Sequence, residues 1–589
     1  MERLMRTHTC AELNSKDIGK TVTLSGWVNK RRDLGGIIFI DLRDKRGITQ
    51  IVIDPQENVQ LHEKANPIRS EWVITITGTV IARKDGMANK KMATGEIEIE
   101  AHDIEILSQA KTPPFSICDE TIDCGIDLRL KYRYLDMRRG EIAKTLSLRH
   151  KAMIAIRNFL DNQEFTEVTT PVLCKSTPEG ARDYLVPSRI HPGTFYALPQ
   201  SPQLFKQLLM IGGLEKYFQI CQCFRDEDLR AERQPEFTQV DIEMSCANPE
   251  ELMKLAEDLL STLFEKTLDV KLKTPFSRMT HLECVENYGC DKPDLRYDMP
   301  LVRLDEIASA CEFAVFKETI SSGGIVKALC VKGGATLSRR EIDGLTAFVS
   351  DFGLKGLAWM KNTDEGITGG VSKFFKPDEL AKITEKLNGE KGDLYLFAAA
   401  NETTVNQSLD HLRRHLAKER NLIDSNIFAP LWVTDFPLFE YDTEDDRLTS
   451  VHHPFTAPHP DDLHLLETDP LKVRSVGYDI VINGYEVGGG SQRIHNGEMQ
   501  EKIFQALKIS EEEVKDRFGF FVDALKYGTP PHLGIAFGLD RLIMLLAGTD
   551  SIRDVIAFPK TTSASDLMME SPSNVDPKQL AELKIGIKS

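Results

Sequence analysis

Between Thr21 and Ile99 apolar and polar residues alternate in short runs. Thr21–Val28, Gly36–Leu42, Thr49–Ile53, Trp72–Val80 and Glu96–Ile99 each send every second side chain to one face, the period of a half-buried strand. Turn residues such as Arg46-Gly47 separate the runs. Five short strands in about a hundred residues predict a small OB-type barrel, an architecture that commonly takes oligonucleotides.

From about residue 146 the period lengthens. Met153, Ile156, Phe159 and Leu160 fall on one helical face, which leads into Val168-Thr169-Thr170-Pro171. Strands and helices continue to about 288. Residues 290–425 read as a separate α+β module with turns at Gly323-Gly324, Gly333-Gly334 and Gly369-Gly370, and strand signals return from about 430 to 560 before a polar tail. The expectation is a multidomain α+β protein: a barrel over 1–108, a hinge over 109–145 around Lys111-Thr112-Pro113-Pro114, and a main domain in two parts, 146–289 and 426–562. The module 290–425 is inserted between those parts, and 563–589 is a C-terminal extension.

Composition narrows the class. The 589 residues are 41% hydrophobic and 28% charged, ordinary for a soluble globular chain. No apolar run approaches the roughly 18–20 residues of a membrane span, and Met1–Arg6 leads into polar sequence, so a cytoplasmic protein without membrane contact is expected. The eleven cysteines are scattered; Cys221-Gln222-Cys223 is the closest pair, and no Cys-x-x-Cys repeat suggests zinc. Reduced, mostly buried thiols are expected. A net charge of -17 argues against indiscriminate nucleic-acid binding. The first fifty residues nevertheless hold ten Lys/Arg against six Asp/Glu, which leaves room for a local RNA site.

The barrel carries such a site in outline. Ile38, Ile40 and Leu42 make a core stripe, which forces Phe39 to the opposite face with Asp41 and Arg43, and Ile51 and Ile53 turn Gln50 outward. An aromatic, an amide and the basic run Lys30-Arg31-Arg32 suit base stacking, base-edge hydrogen bonds and phosphate contacts. One surface phenylalanine on a charged barrel is the alternative.

Further chemistry is concentrated in the main domain. Residues 217–225 and 236–243 read as strands joined by a polar loop, with Phe237, Gln239 and Asp241 on one face of the second. Tyr478–Val487 is a hairpin with an Asn483-Gly484 turn. Counting back from the turn pairs Val481 with Glu486, so Asp479 and Glu486 are diagonal neighbours roughly 7–8 Å apart. Magnesium and phosphate oxygens span such a gap, although two acids on a solvated sheet face would look the same. Ser201 caps a helix with Pro202 at its first position, and Gln203 and Lys206 share a face of that helix.

Three segments in order resemble the three motifs of class II aminoacyl-tRNA synthetases: Phe165–Pro171; Phe224-Arg225-Asp226-Glu227 through Arg233-Gln234-Pro235-Glu236-Phe237 to Asp241; and Gly534-Ile535-Ala536-Phe537-Gly538-Leu539-Asp540-Arg541. The resemblance covers essentially the whole chain, and 290–425 match in position an insertion carried by bacterial aspartate-specific members. It implies an antiparallel catalytic sheet, a homodimer built on the first motif, and an ATP- and Mg²⁺-dependent aminoacyl-tRNA ligase. Arg225 would hold the α-phosphate, Phe237 the adenine and Arg541 the γ-phosphate; Asp226, Glu227, Gln234, Gly538, Leu539 and Asp540 would complete the ATP site, and Asp479 and Glu486 the metal site. Arg225, Arg541 and Glu486 are the catalytic set that the resemblance implies.

Lys206 and Arg493, in Gly488-Gly489-Gly490-Ser491-Gln492-Arg493, resemble the side-chain carboxylate clamp of the aspartate-specific subgroup of class IIb. L-aspartate is then the expected substrate, with Glu179, Ser201, Gln203, Gln239, Asp241 and His452 as further contacts. Asparagine would leave the two cations without an anion. Arg32, Leu34, Phe39 and Gln50 would meet the tRNA anticodon. Leu34 resembles discriminating members that charge tRNA-Asp alone, and relaxed members that also charge tRNA-Asn often carry His there. A tRNA-binding paralogue without charging activity is the remaining alternative.

Overall fold

A computed structural model of the chain describes residues 6–84, 86–119, 124–177, 180–227, 229, 232–443 and 446–587. The chain forms two compact units, Met1–Ser147 with Arg553–Asn574 and Leu148–Ile552 with Val575–Ser589. No helix among the described residues is long and apolar enough to cross a membrane.

In the first unit, strands Thr21–Leu34, Ile37–Arg43, Ile48–Ile53, Val73–Ala82 and Ile97–Ser108 close into a barrel in the order first, second, third, fifth, fourth. The alternation explains the closure: Val22, Leu24, Ile38, Ile40, Leu42, Ile51, Ile74, Ile76 and Ile99 all point into one core. On the outer side Thr23 meets Thr77 at 3.0 Å and Ser25 meets Thr75 at 2.8 Å, hydroxyl pairs that reinforce the first and fourth strands. The first strand runs six residues past the expected Val28, because a bulge between Val28 and Lys30 lets it continue as a hairpin arm to Leu34.

Residues Arg553–Asn574 belong to this unit, whereas the sequence had split them between the main domain and the extension. The cause is Arg133, which is fully buried and donates to the carbonyls of Arg553, Ile556 and Ala557 at 2.8–2.9 Å. Asp136, itself buried, accepts from Arg133 and Arg129 and balances the charge.

The second unit is built on an eight-stranded sheet. Its order is Ser277–Thr280, Pro430–Thr434, Gly477–Ile482, Tyr485–Gln492, His532–Gly538, Glu236–Ser245, Lys216–Phe224, Thr166–Glu167. The inner strands are antiparallel, and each edge strand joins in parallel, Ser277–Thr280 beside Pro430–Thr434 and Thr166–Glu167 beside Lys216–Phe224. Helix Pro249–Leu268 is opened by an Asn248/Glu251 capping box with Pro249 at its first turn, and it turns Leu252, Leu259, Leu260 and Leu263 inward.

Between Ser277–Thr280 and Pro430–Thr434 the chain builds a second sheet of five antiparallel strands, Leu301–Arg303, Ile325–Val331, Leu394–Ala400, Ala358–Thr363 and Gly366–Thr368 in spatial order. It has a core on each face. Helices Arg339–Ser350 and Glu402–Glu419 pack on one side; Asp305–Ala310, Ala314–Ser321 and Pro377–Lys386 pack on the other. Arg413 is buried beneath, stacked on Tyr288 and Tyr297 and donating to the carbonyls of Met299 and Asp294.

Candidate active site

The eight-stranded sheet has a floor of small residues. Gly534, Ala536 and Gly538 lie opposite Glu243, Asp241 and Gln239 in register, and Gly489 and Ser491 continue the floor on the next strand. A methyl group at Gly534 would sit 1.8 Å from Glu243 Oε2, and one at Gly489 would sit 2.5 Å from Asp479 Oδ1. Glycine is therefore required where the two carboxylates fold down onto the sheet. Over this floor lies a cavity of about 400 Å³ lined by Ser201, Gln203, Lys206, Arg225, Gln239, Asp241, His452, Asp479, Glu486 and Arg493. It shares Arg225, Gln239, Glu486 and Ala536 with a second cleft of about 190 Å³ that adds Gln234, Phe237, Gly538, Asp540 and Arg541.

At the first end two buried cations meet two buried carboxylates. Lys206 Nζ is 2.8 Å from Asp241 Oδ1 and 3.5 Å from Glu243 Oε2. Arg493 donates from Nε and Nη2 to both oxygens of Glu243 at 2.9 and 3.0 Å, and from Nη1 to Ser491 Oγ and His453 Nε2 at 2.7 and 2.8 Å. Burial pushes the Glu243 carboxyl up, but Arg493 and Lys206 outweigh it and hold the group below its ordinary value. Burial and the adjacent Arg493 keep His453 well below the ordinary histidine range, so it stays neutral and accepts from the guanidinium. These contacts correct the expectation of two cations awaiting an anion: each cation already has its counter-charge.

Glu243, His453 and Ser491 were absent from the sequence expectation. The signal for Glu243 was available, since the alternation through Phe237, Gln239 and Asp241 lands on Glu243 two residues later. Ser201 does not cap the following helix. That helix runs Gln203–Ile211 with Pro202 at the cap position and no side-chain cap bond, because the turn formed by Pro202 moves the start one residue on. Gln203 Nε2 is buried beside the cavity with no partner among the described residues.

In the adjoining cleft the Arg225 guanidinium lies over the Phe237 ring at 5.2 Å, and its buried Nε has no partner among the described residues. Arg541 is held at the opposite wall, where Nη1 donates to the Glu486 carbonyl at 2.8 Å. Asp540 does not offer its carboxylate to the cleft: Oδ1 is taken by Arg149, and Oδ2 accepts from the Thr238 amide at 2.7 Å. Leu539 is fully buried, and Asp226 is exposed and lines neither cavity, so their side chains stand apart from the cleft. Glu227 lines both cavities and pairs with Arg233 at 3.1 Å. Glu179 lies outside the described residues.

The hairpin differs in detail from a straight count. Val481 faces Glu486 as expected, but a bulge follows and sets Asp479 opposite Gly489. The carboxylates converge beside Gly489: the position of a Gly489 methyl lies 2.5 Å from Asp479 Oδ1 and 3.9 Å from Glu486 Oε1. Burial and the neighbouring Glu486 push the Asp479 carboxyl up to about 6, although His452 opposes them. Two converging carboxylates on neighbouring strands are a donor set that fits Mg²⁺. Burial disfavours the charged form of His452, but its 3.4 Å contact with Asp479 prevails and raises its proton affinity.

On the barrel, Arg32, Phe39, Asp41 and Gln50 share a face through the pairs Arg32–Phe39 and Asp41–Gln50. They are less free than expected. Arg32 donates to Asp41 at 2.7 Å and to Gln50 at 3.1 Å, Gln50 donates to Glu98 at 2.6 Å, and Phe39 is half-buried. Leu34 stands apart at the hairpin tip, 62% exposed before Gly35 and Gly36.

Comparisons with known proteins bear on both units. The profile described as tRNA synthetases class II (D, K and N) matches residues 125–562, and that of the OB-fold nucleic acid binding domain matches residues 22–107. The protein named aspartate–tRNA(Asp/Asn) ligase in Protochlamydia amoebophila is 58% identical over 582 residues, 99% of this chain and 97% of that one. Its namesake in Chlamydia trachomatis serovar L2 is 55% identical over 583 residues, 99% of each chain. Among solved structures, asparaginyl-tRNA synthetase from Pyrococcus horikoshii complexed with asparaginyl-adenylate superposes with a TM-score of 0.60 at 19% identity, covering 95% of this chain and 99% of that one. Aspartyl tRNA synthetase from Entamoeba histolytica gives 0.56 at 20% identity, covering 92% and 89%. At such identities the superpositions bear on fold alone.

Proposed function

The chain belongs to the class II tRNA synthetases for aspartate, lysine and asparagine, as an aspartate–tRNA ligase with an OB-fold domain, and we propose that it charges both tRNA-Asp and tRNA-Asn with aspartate. The relaxed specificity rests on the names of relatives matched over 99% of this chain. It replaces the discriminating reading drawn from Leu34: one exposed residue weighs less than identity over the full length.

The observation that carries the chemistry is the continuous floor from the Lys206–Asp241–Glu243–Arg493 cluster to the Arg225–Phe237 cleft. Aspartate lies over the cluster, its side-chain carboxylate toward Lys206 and Arg493 and its ammonium toward Asp241 and Gln203. Binding is thus an exchange of partners within a neutral cluster. Asparagine is disfavoured because its amide would present N–H donors to groups that can only donate. ATP lies in the cleft, with the adenine on Phe237, the α-phosphate at Arg225 and the γ-phosphate at Arg541.

An α-carboxylate oxygen of aspartate attacks the α-phosphorus. The bond to pyrophosphate breaks, and Arg225 stabilises the charge developing on the α-phosphoryl oxygens. A hydroxyl of the terminal tRNA ribose then attacks the aspartyl carbonyl and AMP leaves. Asp479 and Glu486 would hold Mg²⁺, which when bound neutralises phosphate charge. No covalent enzyme intermediate is required, and positioning supplies the rest. A homodimer accords with the apolar side chains Ile154, Val172 and Leu173, which are 44–53% exposed around the first motif.

Purified tRNA-Asp and tRNA-Asn, each incubated with the protein, ATP and labelled aspartate, provide the test. Both become charged if the proposal holds; charging of tRNA-Asp alone would restore the discriminating reading.

A further inference from the structure

Beside the aspartate end of the cavity lie two thiols that the reaction does not use. Cys221 and Cys223, two apart on strand Lys216–Phe224, send both thiols to the face that carries Gln239 and Asp241 on the neighbouring strand, with Cys221 opposite Gln239 and Cys223 opposite Phe237. Cys221 Sγ is 3.8 Å from Cys223 Sγ and 3.3 Å from Asp241 Oδ2, and Cys223 Sγ is 3.1 Å from Gln239 Oε1. Both cysteines are buried and neither is in a disulfide. One donor atom from each of Cys221, Cys223 and Asp241 falls within 4.8 Å of the other two.

These distances suit a tetrahedral soft cation. Two sulfurs bonded at about 2.3 Å to one tetrahedral centre stand about 3.8 Å apart, and a sulfur and a carboxylate oxygen about 3.5 Å apart. Gln239 Oε1, 3.1 Å from Cys223 Sγ, offers an oxygen as the fourth ligand. Lys206 takes Asp241 Oδ1 and Cys221 takes Oδ2, so a cation on Oδ2 leaves the ion pair with Lys206 in place. Burial raises no charge objection. A divalent ion enters as two thiol protons leave to solvent, so the net charge of the buried cluster is unchanged.

We propose that Cys221, Cys223 and Asp241, with Gln239, form a binding site for a zinc-class divalent cation, and that its occupancy blocks aspartate by engaging Asp241. The second clause rests on the proposed role of Asp241 toward the substrate ammonium; the first does not. The site is separate from the Asp479–Glu486 pair, which offers only hard oxygen ligands.

Cobalt(II) is the probe, added to the full-length protein without aspartate or ATP. A near-ultraviolet sulfur-to-cobalt charge-transfer band is expected, saturating at one equivalent per chain, with two thiols lost to a thiol reagent. Oxygen ligands at Asp479 and Glu486 give no such band. Cys221→Ser with Cys223→Ser should abolish the band, while the exposed Cys246→Ala leaves it intact. If the double variant fails to fold, each single variant should still weaken cobalt binding and reduce the band. Absence of the band, or its survival in the cysteine variants, overturns the site. In pyrophosphate exchange with Mg-ATP, cobalt or zinc should raise the KM for aspartate without lowering kcat, an effect lost in the variants. A cysteine-dependent band with an unmoved KM keeps the cation site and rejects the role of Asp241 toward the ammonium.

Discussion

At the scale of the residue, Arg225 and Asp462 give opposite forecasts. Arg225 has a buried Nε without a partner among the described residues, so its removal takes little from the protein and much from the transition state. Arg225→Ala should lower aspartate-dependent pyrophosphate exchange about 10²–10³-fold with an unchanged melting temperature. Arg225→Lys should recover little, since an ammonium lacks the planar fork and stacks poorly on Phe237. Asp462 accepts three hydrogen bonds from Arg474, which hold its carboxyl at about 2. A lowered carboxyl value stabilises the fold fully above the ordinary 3.8 and progressively less as pH falls toward 2. With solvent screening, Asp462→Asn should cost about 1 kcal/mol in urea unfolding at pH 7, and the difference from wild type should shrink at pH 3. A constant difference would reject the assignment.

At the scale of the element, what could be read in advance was periodicity, and what could not was irregularity. Alternation placed Phe237, Gln239 and Asp241 on one face and filled the barrel core. It could not show the bulge that sets Asp479 over Gly489, because the run Gly488-Gly489-Gly490 carries no side-chain pattern whose phase an extra residue could shift. Nor could it show that Arg32, Asp41, Gln50 and Glu98 bond to one another, since outward-facing polar residues look alike whether they meet water or each other. Glu243 escaped because a carboxylate inside a strand reads as an edge or surface position until its counter-charges, Lys206 and Arg493, arrive from distant segments. The bulge yields its own forecast. Gly489→Ala places a methyl against Asp479, so the Mg²⁺ concentration for half-maximal exchange should rise while the aspartate KM moves little. A change in the aspartate KM alone would disconnect Gly489 from the carboxylate pair.

At the scale of the whole molecule, the apolar residues around the first motif should mark a subunit contact. Leu173→Glu, at a position 53% exposed, should shift a dimer toward monomer in sedimentation equilibrium; a wild-type protein that is already monomeric would refute the interface. The module between Ser277–Thr280 and Pro430–Thr434 bears on the molecule in another way. Those strands lie side by side and run the same way, and parallel neighbours need a crossover of a dozen or more residues. The module is therefore an enlarged form of a connection that the sheet requires in any case. Loop-closure entropy grows only logarithmically with length, so each doubling of that connection costs only about 0.6 kcal/mol. The sheet is consequently almost indifferent to how much chain is hung there, and the size of the module is set by what the module does rather than by what the sheet can tolerate.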